Sequence, residues 1–177
     1  RLIHTAHAYE DGPIAIRYPR GYAQGVPMPA NPTTIEIGKG EVIREGGEVV
    51  IIGAGPWVYD AASVADSLGA EGIRVTVLDA RFIKPLDEAM LERFSHIREW
   101  ISLEDHSTTG GLGGAVAEWI SSNGHAIRLR RLGIPDRFVE HGSVDDLRAL
   151  CGCDAAGIRE AVIEALMRRT VRNQTTL

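Results

Sequence analysis

The sequence predicts an α/β fold with a mostly parallel sheet covered by helices, and three observations predict it. The first is residues 47–79. A β-branched run, Val49 to Ile52, ends in glycines, and apolar residues then recur at helical spacing at Val58, Ala61, Ala62, Ala65 and Leu68. After Gly69 and Gly72 a second β-branched run, Val75 to Leu78, closes at Asp79, which completes a βαβ unit with parallel strands and a right-handed crossover. The second observation is that everything after residue 79 repeats this alternation. The third is that nothing before residue 47 does.

The elements follow in order. Residues 1–12 are polar-aromatic and end in the turn signal Asp11-Gly12-Pro13. Ile14 to Tyr18 alternates like a strand until Pro19 stops it. Pro27, Pro29 and Pro32 then mark a linker, because prolines at that density favour an extended chain without a core of its own. Thr33 to Ile43 reads as one short strand on each side of Gly38-Lys39-Gly40. Past Asp79, Arg81-Phe82-Ile83-Lys84-Pro85 leads into a helix bearing Leu86, Met90, Leu91 and Phe94, with Pro85 acceptable in its first turn.

Trp100 to Leu103 is the third central strand and ends in Glu104-Asp105-His106. Gly110 to Gly114 opens a helix that turns Leu112, Val116, Trp119 and Ile120 inward. Ala126 to Leu132 is the fourth strand, and Gly133-Ile134-Pro135-Asp136 a turn. Ser143 caps a short helix, with Asp145 and Asp146 favourably near its start, and Asp154 caps the last one, whose stripe is Ile158, Val162 and Leu166. From Arg168 onward the chain is polar and expected to fray.

Composition narrows the function classes. Of 177 residues, 44% are hydrophobic and 24% charged, as in a globular protein. A net charge of −5 argues against a nucleic-acid partner. No apolar run approaches the ~20 residues of a membrane span. Cys151 and Cys153 are too close for a Cys-x-x-Cys site and read as small buried or half-buried thiols in a reducing compartment. Arg1-Leu2-Ile3-His4 reads as mid-protein sequence, so the chain is expected to be a piece of a longer one.

Four stretches are candidates for chemistry. Gly53-Ala54-Gly55, with Asp79 ending the next strand, partly matches a dinucleotide-binding turn, but Val58 replaces the third glycine and Trp57 crowds the phosphate space. Gly110 to Gly114 offers backbone N–H groups to an anion or permits close packing. His106 lies where open α/β sheets bind ligands. Its neighbours Glu104 and Asp105 point to opposite faces and make a poor acid/base couple. Finally, Arg17-Tyr18-Pro19-Arg20-Gly21 puts Arg20 at a strand end, where a guanidinium suits a phosphate or carboxylate, or else a salt bridge at a domain junction.

Particular residues also carry a family resemblance. Asp11-Gly12-Pro13 followed by Ile16-Arg17-Tyr18-Pro19-Arg20-Gly21 resembles the close of the pyrimidine-binding domain in the 1-deoxy-D-xylulose-5-phosphate synthase family. Ile37-Gly38-Lys39-Gly40, Asp79 to Asp87, Leu132-Gly133-Ile134-Pro135-Asp136 and Gly152-Cys153-Asp154-Ala155-Ala156-Gly157-Ile158 are similar to that family as well. Transketolases and 2-oxo-acid dehydrogenase β subunits share this C-terminal domain, and the Tyr-Pro-Arg-Gly and Lys-Pro-Leu-Asp combination favours the synthase.

The resemblance implies a transketolase-type three-layer sandwich over residues 35–168. Before it come the end of a pyrimidine-binding domain at 1–22 and a linker at 23–34, and after it a polar tail at 169–177. It further implies a cytoplasmic, homodimeric transferase that uses thiamine diphosphate and magnesium to join pyruvate, with decarboxylation, to glyceraldehyde 3-phosphate, for isoprenoid and thiamine biosynthesis. Both the metal motif and the activating glutamate belong to upstream domains, so no catalytic, cofactor or metal residue is expected in this chain. One residue carries over: Arg20 resembles the arginine that holds the acceptor's phosphate. The family departs from this sequence at His106, which leaves that histidine unassigned. The competing readings are a nucleotide-binding module built on Gly53, Gly55 and Asp79, and a non-catalytic interaction domain.

Overall fold

Val49–Gly53 (β2) is buried along its whole length, which is what a β-branched run becomes when helices cover both faces of a sheet. The computed structural model describes residues 1–18, Gly25 and residues 27–175. Five strands form one sheet in the order β1-β3-β2-β4-β5, where β1 is Glu41–Arg44, β3 Val75–Asp79, β4 Glu99–Ser107 and β5 Arg128–Ile134. Four run parallel, and β1 alone pairs antiparallel, on β3. The predicted α/β class and the mostly parallel sheet are therefore what the chain adopts.

Alternation along the strands sorts the core into two halves. Val49, Ile51, Val75, Val77, Ile101 and Leu103 face one side. There they meet α2 (Trp57–Ala70) and α6 (Ala155–Thr175). Val50, Ile52, Leu78 and Trp100 face the other, against α3 (Glu88–Arg93) and α4 (Leu112–Ser122). The result is three layers, helices over sheet over helices. A further helix, α5 (Val144–Leu150), buries none of its residues, and Arg148 ties it down. That guanidinium lies 3.7 Å over the Trp57 ring and 3.1 Å from Asp60.

Two predicted caps are in place, with Ser143 Oγ accepting from the Asp146 N–H and Asp154 Oδ1 from the Gly157 N–H. Several sequence expectations need correction. Residues 1–12 contain a helix, α1 (Leu2–His7). Ile14 to Tyr18 joins no sheet among the described residues; its first residues instead lie across the ends of the central strands. Among the described residues no strand precedes Gly38, because the Ile35 N–H is spent on Thr5 Oγ1 at 2.8 Å rather than on a ladder. The third helix starts after Pro85, whose peptide bond is cis, since the Asp87 carboxylate captures the Met90 N–H and sets the N-terminus there. At the C-terminus α6 continues to Thr175 instead of fraying at Arg168, and Arg168 pairs one turn back with Glu164 at 2.7 Å.

The stretches that carry the family resemblance meet in pairs. Asp87 bonds the Gly40 N–H and lies 3.8 Å from Lys39, while a Cβ on Gly38 would come within 2.9 Å of the Pro85 ring. Gly38 and Gly40 are thus the seat for the turn that begins α3. In the same way Cys153 Sγ donates to the Gly133 carbonyl at 3.3 Å, which joins the end of β5 to the start of α6. Burial pushes the Cys153 thiol up to about 11, so it stays protonated and serves as a donor.

Candidate functional site

In a sheet of this order the chain leaves β2 toward β3 on one side and returns to β4 on the other, which opens a crevice at the strand ends. A cleft of about 760 Å³ occupies that position. Its floor comes from Ala54 to Pro56 after β2, Asp79 and Arg81 to Pro85 after β3, and Glu104 to His106 with Gly110 to Leu112 around the end of β4. Its other wall is the N-terminal segment, including Thr5, Tyr9 and residues Pro13 to Arg17. The sequence candidates Gly55, Asp79, Asp105, His106, Gly110 and Arg17 therefore all converge on one cleft. Arg20 lies outside the described residues.

The dinucleotide pattern resolves into packing. A Cβ on Gly53 would stand 2.9 Å from Val58 Cγ2, so that glycine exists to let α2 approach β2. The turn's amides are spent internally: Ala54 N–H on Leu103 O at 3.1 Å, Val58 N–H on Gly55 O at 3.3 Å, and Tyr59 N–H on Pro56 O at 3.1 Å. Pro56, at the helix N-cap, has no N–H to offer. Asp79 accepts from the Arg81 N–H at 2.9 Å and holds Arg81 in the left-handed region at φ +52. Burial raises the Asp79 carboxyl above its ordinary value, opposed by the Arg81 N–H and charge, and Glu41 opposite on β1 adds repulsion.

The glycine-rich start of α4 is closed from within. Glu104, only 3% exposed, places Oε2 2.7 Å from the Leu112 N–H and Oε1 2.9 Å from the Gly113 N–H. A Cβ on Gly111 would collide with that carboxylate at 1.8 Å, which is why glycine stands there. The N–H groups that the sequence offered to an anion hold this protein's own carboxylate. A readable signal preceded it, since no Ser, Thr, Asp or Asn occupies the N-cap position, Gly111, and the orphan donors required some acceptor. As predicted, Asp105 points the other way, to the cleft.

One further residue and one pairing escaped sequence reasoning. Thr5 is buried, and its hydroxyl joins α1 to the start of the domain through the Ile35 N–H. Asp105 meets Arg17 across the cleft at 4.0 Å, with the two side chains 28% and 60% exposed. His106 is exposed, and its Nδ1 bonds the carbonyl of Ser107 at 3.0 Å. Among the described residues no group of three or more His, Cys, Asp or Glu is arranged to hold a metal ion, and no helix is long and apolar enough to cross a membrane.

Sheet order, two helical layers and a cleft at the strand ends define a three-layer α/β domain with a segment from outside it folded across its crevice. Residues 38–158 match the family model described as "Transketolase, C-terminal domain", and the chain belongs to that family. A curated relative from Aquifex aeolicus, named 1-deoxy-D-xylulose-5-phosphate synthase, is 46% identical over 93% of this chain. One of the same name from Chlorobium luteolum is 43% identical over 92%. The chain spans about a quarter of the length of these relatives, 26% in each case. A solved structure described as "Split gene transketolase, inactive beta4 tetramer" matches with a TM-score of 0.71 and 34% identity, over 81% of this chain and 47% of that one.

Proposed function

We propose that this chain is the C-terminal part of a 1-deoxy-D-xylulose-5-phosphate synthase, a transferase that decarboxylates pyruvate and joins the two-carbon unit to glyceraldehyde 3-phosphate. The single observation that carries the reading is the likeness to synthases across more than nine-tenths of the chain, including the segment before the domain match begins. In this reading residues 1–22 close a pyrimidine-binding domain, 23–34 are a linker, 35–168 form the C-terminal domain and 169–177 a polar tail. The complete enzyme is a cytoplasmic homodimer using thiamine diphosphate and magnesium, and its product feeds isoprenoid and thiamine biosynthesis.

The described residues do not fit the cofactor's diphosphate. At the cleft the Val58, Tyr59, Leu112 and Gly113 N–H groups are spent on protein acceptors, and Glu104 would repel a second anion at α4. The cofactor and its metal therefore belong to upstream domains, and this chain's contribution is a wall of the cleft and the arginine that precedes the linker. Arg20 binds the phosphate of the acceptor aldehyde, because a guanidinium can grip phosphate with two N–H groups and never loses its charge. Supporting this, residues Pro13 to Arg17, just upstream of it, line the cleft.

The test is Arg20→Ala in the full-length enzyme. Losing a charge-assisted pair should cost about 2–4 kcal/mol in kcat/KM for glyceraldehyde 3-phosphate while leaving pyruvate binding nearly unchanged. Equal losses on both substrates would remove Arg20 from this role.

A further inference from the structure

We propose that Cys151 and Cys153 form a redox-responsive dithiol, which closes to a disulfide by exchange with a low-molecular-weight disulfide and loosens the end of β5 behind the cleft. A disulfide needs Cα atoms about 4.4–6.8 Å apart. Residues one apart in an extended chain stand at about 7 Å, the edge of that range, and a turn between them brings them inside it. Here the chain turns. Gly152 takes φ +65, and Cys151, Gly152 and Cys153 donate back to the Leu147, Ala149 and Arg148 carbonyls, each at 3.0 Å. Cys153 belongs to the apolar cluster under α2 and α6, and Cys151 packs against the same cluster. Cys153 Sγ also lies 3.5 Å from the Cys151 carbonyl, so its sulfur is folded back toward its neighbour.

The two thiols have different parts. Cys151 is partly exposed and Cys153 is buried, so a reagent in solution meets Cys151 first. The Cys151 thiolate attacks one sulfur of the small disulfide, forms a mixed disulfide and expels one thiolate. Cys153 then gives up its proton, attacks the Cys151 sulfur and expels the second thiolate. Two protein thiols lose two electrons and two protons, and the small disulfide takes them up as two thiols. The closing step draws Cys153 Sγ off the Gly133 carbonyl, which it holds at 3.3 Å in the dithiol. Gly133 has no slack beside it: a Cβ there would stand 2.8 Å from the His106 carbonyl oxygen and 3.1 Å from that of Glu104. Both of those residues floor the cleft, so a change of sulfur state is passed from β5 to that floor.

The experiment is native incubation of the whole chain with oxidised glutathione, followed by alkylation, intact mass and peptide mapping. The expected product lacks two hydrogen atoms, carries no glutathione, resists alkylation at both cysteines and is restored by dithiothreitol. Amide exchange at Thr108, whose N–H bonds the Ile134 carbonyl at 2.9 Å, should quicken about three- to tenfold in the oxidised chain. Cys151→Ser, a change at the more open position, should leave Cys153 unreactive while the chain is folded. A lasting glutathione adduct on Cys151, a disulfide between two chains, or no reaction at all overturns the pair. Cys153 reacting in Cys151→Ser as fast as Cys151 does in the parent overturns the order of attack. Unchanged exchange at Thr108 in a chain shown to be oxidised overturns the link to the cleft floor.

Discussion

Residues 1–18 and the sheet domain that follows are held by different means. The domain buries β2 completely and covers both faces of its sheet with helices, so its order comes from apolar area removed from water. The N-terminal segment buries Thr5 alone in α1 and leaves Ile3, Ile14, Ile16 and Tyr18 exposed. What fastens it is polar: Thr5 to Ile35, Arg17 to Asp105, and Arg1 to the Thr33 carbonyl at 3.5 Å. The contrast teaches that a segment can be positioned on a fold without belonging to its core.

Three changes would sharpen or break that contrast. The largest effect is expected from Glu104→Ala, which strips the buried acceptor from two amides and should cost about 2–4 kcal/mol of unfolding free energy in a denaturant titration. A loss below about 1 kcal/mol would mean that the α4 start finds another partner and that the cleft wall is not clamped. Next comes Thr5→Val, which keeps the shape but orphans the Ile35 N–H. Here the expected outcome is faster amide exchange at residue 35 and easier proteolysis before it, with a Tm change of no more than about 2 °C. A larger fall in global Tm would show the segment and the domain to be one cooperative unit.

The smallest effect is that of Asp79→Asn. Burial raises the Asp79 carboxyl in the folded protein, so its favourable contribution is complete below the ordinary aspartate range and is lost as pH rises through the folded value. Asparagine keeps the acceptor for Arg81 without the buried charge. The variant should therefore melt about a degree above the parent at pH 7 and level with it near pH 4. A variant that is less stable at pH 7 would mean that the Arg81 charge outweighs burial at this position.

Most of the domain was legible because its signals are local. β-branched runs at Val49 and Val75 and the helical spacing from Val58 to Leu68 each point to one state, and caps such as Ser143 and Asp154 bond within three residues of themselves. Ile14 to Tyr18 misled because alternation announces a strand without supplying its partner. The helix start at Asp87 was missed because Pro85 is an equally good local signal, and only the Gly40 amide 47 residues away reveals what that carboxylate holds. At the cleft, residue types were readable and pairings were not. Glu104 was rightly separated from Asp105, but its tie to α4 and the approach of Arg17 depend on how strand ends and an incoming segment converge.

The outer strands of the sheet have a consequence for handling the domain on its own. β1 is four residues long, is broken by an irregularity between Val42 and Arg44, and carries charges that are paired to Arg81 and Asp66. On the opposite margin, Arg128, Arg130 and Arg131 stud β5, and Pro135 follows directly. Short, kinked or cationic borders are poor templates for another chain to zip onto, so stacking of copies margin to margin into fibrils is disfavoured at both ends.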